Sequence, residues 1–363
     1  MNSSNLDTER LNTIGYDSCM TNCGNFLIMD QNIVEYANKI DGLSVLPLKE
    51  AMDIYPHIEK ELLFGIVPKD KNEYTKLASQ REPVGYYIRV EPGIRIEEPM
   101  QAAFMLGIDD STQVIHNIVE LCDGAGLNIV NGCTTSGHHI TGRHIGITET
   151  YLHRGSNLGY TMIHNWGSGV EVFPVGASVV GEDASLISNY VAMTSIKRIE
   201  TYPVATVHKK GNARFYSIIF AKGNSYFDSG AKLVLKGADS SGEIISRVVS
   251  DGGTVISRQM LCGNVAGSVG HMECSGLLLG NKGIIHSIPE LRGEDPDVNL
   301  SHEAAVGKIS RDELNYLMTR GLSEEQARSL IIRGFLDIKI EGLPDKVQAL
   351  VDDVIERSVQ GSI

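Results

Sequence analysis

The sequence predicts a mainly β protein whose centre is a stack of β coils. Glycine is in excess, at 38 of 363 residues. The segments between the glycine turns alternate apolar with polar side chains, which is the period of a half-buried strand. A polar residue followed by glycine recurs at spacings of 26 to 31 residues, and these glycines are Gly124, Gly155, Gly181, Gly211, Gly237 and Gly263.

A repeat of this length without a helical pattern is typical of a solenoid, because a single coil cannot bury its inward side chains. An ordinary β-sandwich with evenly spaced hairpins is the alternative. Few two-residue Asn-Gly or Asp-Gly hairpin turns are present, and this favours the solenoid, that is, a β-helix.

The amino-terminal part reads differently, and we place residues 1–84 in a leader and helical region. Residues 31–40 and 48–64 are predicted to form short helices, and Pro56 interrupts the second of them. A charged connector follows over 67–83. The first strand of the core, which we assign to residues 85–303, is expected near Tyr86.

A helical domain is expected over residues 304–363. Leu314, Leu317 and Met318 share one helical face. Ser323 and Gln326 fit a capping box, so a second helix should begin there. Glycines 321 and 334 are expected to end the two helices, and Pro344 to open a third.

Composition excludes several classes of protein. A net charge of −13 leaves no basic stripe for a nucleic acid backbone. No apolar run reaches the roughly 20 residues of a membrane span, and no signal peptide is recognisable, so we expect a cytoplasmic protein. In a reducing compartment the six cysteines are expected to be thiols or ligands. The phosphate loop of ATPases, the dinucleotide-binding glycine motif, the hydrolase nucleophile elbow and Cys-x-x-Cys pairs are all missing from the sequence.

The residues with chemical potential are cysteine, histidine and glutamate at a few places. Cys274 precedes an apolar strand, and His302 and Glu303 follow about one coil later. A separation of 28 residues would stack Cys274 near His302, and such a mixed set of donors suits iron or zinc. A buried core cysteine and an unrelated solvent-facing His-Glu pair explain the same spacing.

Other candidate residues lie earlier in the chain. Cys133 stands beside Gly132, where a strand is expected to turn, so its thiol is predicted to be accessible, although a thiol without a task fits as well. Cys19 and Cys23 could be ligands on one helical turn or part of a leader. Three histidines, for which we favour a polar surface over a metal site, are His138, His139 and His144.

Taken together, these stretches resemble the SufB/SufD family of iron–sulfur cluster assembly scaffolds, from about Tyr86 to the carboxyl terminus. The matching stretches are "PGIRIEEPMQ", "NGCTTSG" (family E-G-C-[ST]-A-P), "IHNW" (family Q-N-W), "YFDSGAKL", "ECSGLLLG" and the segment that begins "SHEAAVGKIS".

This resemblance implies a right-handed parallel β-helix and a scaffold that is not itself an enzyme. It implies that the carboxyl-terminal helices dock a SufC-like ABC ATPase. By the same resemblance, Cys133 accepts persulfide sulfur, and Cys274, His302 and Glu303 help to hold the nascent cluster between two subunits. The cluster would be [2Fe–2S] or [4Fe–4S], and some family relatives bind flavin.

The pattern also departs from the family, since SufB-like cysteines are combined here with a SufD-like Ser-His before the glutamate. This combination suggests a compact single scaffold that forms a homodimer through the β-helix, works with two ATPase subunits, and exchanges sulfur and clusters with donor and acceptor proteins. A cluster-free structural partner of an ABC ATPase and a β-helix enzyme acting on polysaccharide are the alternatives.

Overall fold

The computed structural model describes residues 8–16, 22–137, 139–279 and 281–337, together with 345, 348, 349, 352, 353 and 356. The chain coils through two ten-stranded sheets for about eight turns. Coil neighbours pair in parallel within each sheet, as the register of Cys274 with Ala304 illustrates. This arrangement confirms the mainly β solenoid that the sequence predicts.

The elements are numbered in chain order. The helices are α1 (Thr8–Asn12), α2 (Leu48–Ile54), α3 (Glu73–Ser79), α4 (Arg311–Thr319) and α5 (Glu324–Leu336). The strands are β1 (Gly24–Met29), β2 (Asn32–Asn38), β3 (Leu43–Pro47), β4 (Tyr86–Val90), β5 (Met100–Leu106), β6 (Ser111–Leu121), β7 (Gly126–Thr135), β8 (Thr141–Leu152), β9 (Asn157–Asn165), β10 (Gly169–Val180), β11 (Ser185–Ala192), β12 (Arg198–Thr201), β13 (Val204–Val207), β14 (Asn212–Lys222), β15 (Tyr226–Leu235), β16 (Ser241–Asp251), β17 (Thr254–Gly263), β18 (Ser268–Leu278), β19 (Ile284–Gly293) and β20 (Val298–Lys308).

Sheet A contains, in spatial order, β2, β1, β5, β7, β9, β11, β14, β16, β18 and β20. Sheet B runs from β19 through β17, β15, β12, β10, β8, β6 and β4 to β3, with β13 continuing the coil of β12. We call the space between the two sheets the lumen. It is filled mainly by inward-facing apolar side chains, such as Phe104 and Leu233, which form one continuous core.

One row of turns sets the length of each coil. These turns carry a residue with positive φ, and successive ones lie 27 to 31 residues apart: Gly93, Gly124, Gly155, Asp183, Lys210, Asp239 and Gly267. Each turn is tied to the next coil, as when the Gly124 N–H donates to the Arg154 carbonyl at 2.8 Å. Two of the turn glycines that the sequence indicates therefore have left-handed backbone, whereas aspartate or lysine takes that conformation in three other coils.

The outer faces of both sheets are partly covered. The segment 8–16 lies on sheet A, where Ile14 packs with Val130 and Ile163. Further along the same face, α5 buries Ile332 and Leu336. On sheet B the cover comes from α2, a π-helical turn (Ile58–Leu62) and α3.

The amino-terminal region corrects one prediction. Residues 31–40 were predicted to be helical, but Asn32–Asn38 form strand β2, which pairs antiparallel with β1. Branched and aromatic side chains at Ile33, Val34 and Tyr36 favour a strand, and an available edge on β1 decides the outcome. The interrupted helix over 48–64 is confirmed. The charged connector also contains α3, which begins at a capping box of Asn72 and Thr75.

The carboxyl-terminal helices form largely as predicted. Ser323 and Gln326 make the capping box at the start of α5. Gly321 has a φ of +99° just after α4, but Gly334 lies inside α5, which continues to Leu336, so a helix end at Gly334 is wrong. Most of the helix expected after Pro344 lies outside the described residues.

Within the described ranges, no helix is long and apolar enough to cross a membrane.

Candidate functional site

Cys274 lies on the lumen side of β18, one strand before the end of sheet A. It is 1% exposed, and its Sγ lies 3.5 Å from Ser257 Oγ on the facing sheet. Alternating burial along β18 places Met272, Cys274 and Gly276 inward. Period-2 geometry therefore sends Glu273 and Ser275 to the outer face.

The structure separates the three residues that spacing suggested might form one site. The last coil is 30 residues long, so Cys274 lies beside Ala304, and Met272 lies beside His302. A shift of two residues keeps His302 on the lumen face, diagonal to Cys274. Glu303 is in register with Glu273 and so lies on the outer face. Stacking of His302 directly over Cys274 is thus corrected, and the glutamate faces away from both within one chain.

The end of the solenoid beside Cys274 is open. Strands β19 and β20 are the last strands of their sheets among the described residues, and β20 is exposed along most of its length. Leu291 and Val306, both at inward positions, are 40% and 44% exposed. One strand alone thus separates Cys274 from this surface, and His302 lies on it.

The outer face near Glu303 is charged. Arg247 Nη1 lies 2.6 Å from Glu273 Oε1. Burial by itself raises the pKa of Glu273, but the Arg247 charge and its hydrogen bonding outweigh it, and the pKa is lowered. Glu303 is exposed beside this pair, so its carboxylate is free to meet groups outside the chain.

Cys133 is buried, which corrects the prediction of an accessible thiol at a turn. It lies inside β7 with 0% exposure and points into the lumen. Its Sγ is 3.7 Å from Met162 Sδ, and the Asn131 side-chain amide donates to both sulfur atoms. Burial raises the pKa of the Cys133 thiol far above its usual range, so the resting form is the thiol.

Two histidines and a tryptophan near Cys133 went unassigned in the sequence. His164 is in register with Cys133 on the next strand, and its Nδ1 is 3.1 Å from the Tyr190 hydroxyl. His144 stacks against Trp166 at 5.0 Å, with its Nδ1 2.7 Å from Gln113. Burial lowers the pKa of each histidine to about 3, so both rings are neutral. A polar surface, which the sequence favoured for His144, is therefore wrong for that residue.

A cavity of about 110 Å³ continues along the lumen beyond His164. Its lining includes Met162, Tyr190 and Ser217 on sheet A. On the sheet B side Gly176 and Ala231 contribute little volume, and this leaves the space open. Ser217 Oγ donates to Ser246 Oγ at 2.9 Å, and Ser246 is in register with Cys274. The cavity thus lies between the rungs of the two cysteines.

The other candidates are placed apart. Cys23 is buried just before β1, and burial raises the pKa of its thiol to about 12. Cys19 and His138 lie outside the described residues, and His139 is exposed. Across the described part of the chain, no three His, Cys, Asp or Glu side chains come together as a metal site.

Comparison with known proteins decides the family. The model of the SufBD core domain of the SUF system for FeS cluster assembly matches residues 104–335. The chain belongs to the SufBD family. That match includes Cys133, Cys274, His302 and Glu303 and leaves out Cys23.

Relatives within the SufBD family cover nearly the whole chain. An iron-sulfur cluster assembly SufBD family protein of Archaeoglobus fulgidus is 41% identical over 352 residues, which is 97% of this chain and 95% of the relative. One of Methanothermobacter thermautotrophicus is 37% identical over 93% of this chain and 84% of the relative. One of Staphylococcus saprophyticus is 30% identical over 84% of this chain and 66% of the relative. SufBD membership supports a role in iron–sulfur cluster assembly.

Proposed function

We propose that this chain is a scaffold on which iron–sulfur clusters are built and from which they are passed on. The observation that carries the proposal is the position of Cys274 in a SufBD chain, one strand inside an open solenoid end that also presents His302. A cluster built there would be cargo, held close enough to the surface to leave.

A second copy of the chain is needed to complete this site. One chain supplies Cys274 and His302 on its lumen face, whereas clusters are usually held by four ligands. A two-fold contact between open ends would bring the same two donors from each subunit together. The open strand β20 and the exposed apolar positions Leu291 and Val306 suit such a contact. Glu303 would then act from the outer rim, where a neighbouring subunit passes.

Sulfur would enter the site through Cys133. Its strand β7 is separated from β18 by five steps along sheet A, about 24 Å at the usual strand spacing. The two thiols cannot touch at that distance, so a small sulfur species would have to move between them. The lumen cavity lies on that line. Because Cys133 is a buried thiol at rest, sulfur loading should require the lumen to open.

ATP hydrolysis is assigned to a partner subunit, a SufC-like ABC ATPase. The sequence has no phosphate loop of its own. Helices α4 and α5 bury Leu314, Ala327 and Ile332 but leave Tyr316 and Leu330 58% and 49% exposed. Large apolar side chains exposed on adjacent helices are typical of a docking surface.

Anaerobic purification tests the proposal. We expect protein that carries iron and acid-labile sulfide in equal amounts, together with visible charge-transfer absorbance. Protein that binds the ATPase but never acquires iron or sulfide would instead be a cluster-free structural partner, which is the second candidate function.

A further inference from the structure

Three soft or borderline metal donors share one patch of the lumen wall. Cys133 Sγ and Met162 Sδ are 3.7 Å apart, which is the separation that two sulfur ligands of one metal ion adopt. His164 is in register with Cys133 and lies two residues after Met162 on the same strand, so all three side chains are on the lumen face.

The histidine is already oriented as a ligand would be. Its Nδ1 is 3.1 Å from the Tyr190 hydroxyl, and Nε2 is left without a hydrogen bond in the described structure. Metal-binding histidines are usually fixed in this way, by a hydrogen bond at the ring nitrogen that does not bind the metal. Met162 and His164 also line the lumen cavity, so the patch faces free space.

Charge and softness select the ion. A thiolate, a thioether and a neutral imidazole carry one negative charge together, so a monovalent ion leaves the buried site neutral. A divalent ion would leave an uncompensated positive charge in a water-poor space, which is costly. Thiolate and thioether ligands prefer monovalent copper.

We propose that Cys133, Met162 and His164 form a binding site for monovalent copper inside the lumen. On binding, the Cys133 S–H bond breaks, its proton leaves to solvent, and the thiolate sulfur bonds to the ion; no electron is transferred. Asn131, whose amide donates to both sulfur atoms, then donates to the bound thiolate.

The site has a consequence that rests on the proposed function of Cys133 as sulfur acceptor. A thiolate bonded to copper cannot attack a donor persulfide. Copper bound here would therefore block sulfur loading, while leaving the fold and the distant Cys274 unchanged.

The test uses the reduced full-length chain under anaerobic conditions, with Cu(I) supplied from a bathocuproine-buffered solution. A Cys274→Ala background removes the thiol beside the open end. We expect one Cu(I) per chain, with two sulfur neighbours and one nitrogen neighbour in its X-ray absorption spectrum. Cys133→Ser should abolish this binding, and Met162→Leu, His164→Gln and Tyr190→Phe should each weaken it by about 10- to 100-fold.

Cys262→Ser is the matched control, because Cys262 is a buried thiol with 3% exposure on the outer face of sheet B and should not matter. Stoichiometric binding to the Cys133→Ser variant overturns the proposal. So does wild-type affinity in both the Met162→Leu and His164→Gln variants, since a single thiol would then suffice. Sulfur loading of copper-free Met162→Leu protein, measured in parallel, reports on the proposed function alone.

Discussion

At the scale of single residues, the sequence identifies the reactive side chains but not the faces on which they lie. His302 and Glu303 are neighbours in the chain and face opposite sides of β20. A spacing of 28 places Cys274 near His302, and the true coil length of 30 preserves that relation because it differs by an even number. An odd difference would have put the histidine outside.

This geometry makes the two neighbours unequal as cluster ligands. We expect His302→Ala to shorten the lifetime of a reconstituted cluster far more than Glu303→Ala, because only His302 shares the lumen face with Cys274. The decay of visible absorbance in air measures this directly. Equal decay in the two variants would show that the last strand rearranges when two subunits meet.

Burial of Cys133 was beyond the reach of the sequence. The motif around it contains glycine and two threonines, which suggest a turn, but Gly132 is needed elsewhere. A Cβ at position 132 would stand 2.4 Å from the Ile14 carbonyl oxygen, so glycine lets the segment 8–16 lie on the outer wall. That long-range contact leaves no local pattern in the sequence.

A buried carboxylate, Glu120, provides a residue-scale prediction about acid stability. It accepts hydrogen bonds from four surrounding side chains: Tyr87, and His57 at 3.1 Å, Arg89 at 3.1 Å and His153 at 3.3 Å. Burial by itself raises its pKa, but the hydrogen bonds from its neighbours and the Arg89 charge lower it to about 2. A lowered carboxyl pKa stabilises the fold above the unfolded-state value of about 4.3, and this stability is lost as pH falls towards 2.

We therefore expect Glu120→Gln to reduce the free energy of unfolding at pH 7 by on the order of 3 kcal/mol. The difference from wild type should shrink below about pH 4.3. Urea unfolding at several pH values measures it, with the exposed Glu59→Gln as control. A difference that stays constant with pH would mean that packing, and not charge, is lost.

At the scale of elements, α4 and α5 divide into a face that holds them to the solenoid and a face that is free. Leu336 is fully buried against sheet A, whereas Tyr316, Met318 and Leu330 are 58%, 41% and 49% exposed. The exposed face is the proposed ATPase surface, and the two faces can be tested separately.

Replacing Tyr316, Met318 and Leu330 together by serine should abolish co-purification with a SufC-like ATPase and leave the melting temperature close to wild type. Leu336→Ala is the matched control, since it should lower stability by about 2–5 kcal/mol through a core cavity. Retained ATPase binding in the triple variant would move the docking surface elsewhere.

The segment 8–16 gives a second element-scale prediction. Gly132→Ala should displace this segment from sheet A, because the new methyl group meets the Ile14 backbone. Overpacking of this kind costs about 1–3 kcal/mol, and faster proteolytic cleavage near residue 16 would reveal it. Gly334→Ala in α5 is the control, since nothing lies within 4 Å of its new methyl group. Unchanged cleavage in the Gly132→Ala protein would contradict this packing.

Elements whose signals are local were predictable, and those that depend on distant partners were not. The Ser323–Gln326 capping box begins α5 as expected, because both hydrogen bonds lie within four residues. Residues 31–40 were assigned to a helix because their apolar spacing is compatible with one. Their strand conformation comes from pairing with β1, and nothing within the segment itself announces that partner.

At the scale of the whole molecule, the solenoid holds two reactive cysteines in one lumen and is open at one end. Repeating glycines and alternating strands were enough to predict the coils. The openness of the last coil was not, because exposure of Leu291 and Val306 depends on which strand is last. If two subunits meet there, Val306→Lys should convert a dimer to a monomer in light scattering, whereas Ile108→Lys, at an exposed site far from that end, should not.

The most direct test of cluster assembly at the open end is the iron and sulfide content of anaerobically reconstituted Cys274→Ala protein. A buried Cys262→Ala variant on the outer face of sheet B serves as control. We expect wild-type and Cys262→Ala protein to hold one cluster per two chains, and Cys274→Ala protein to hold none while remaining folded and dimeric. A full complement of iron and sulfide on the Cys274→Ala chain would contradict the assignment and place the cluster elsewhere.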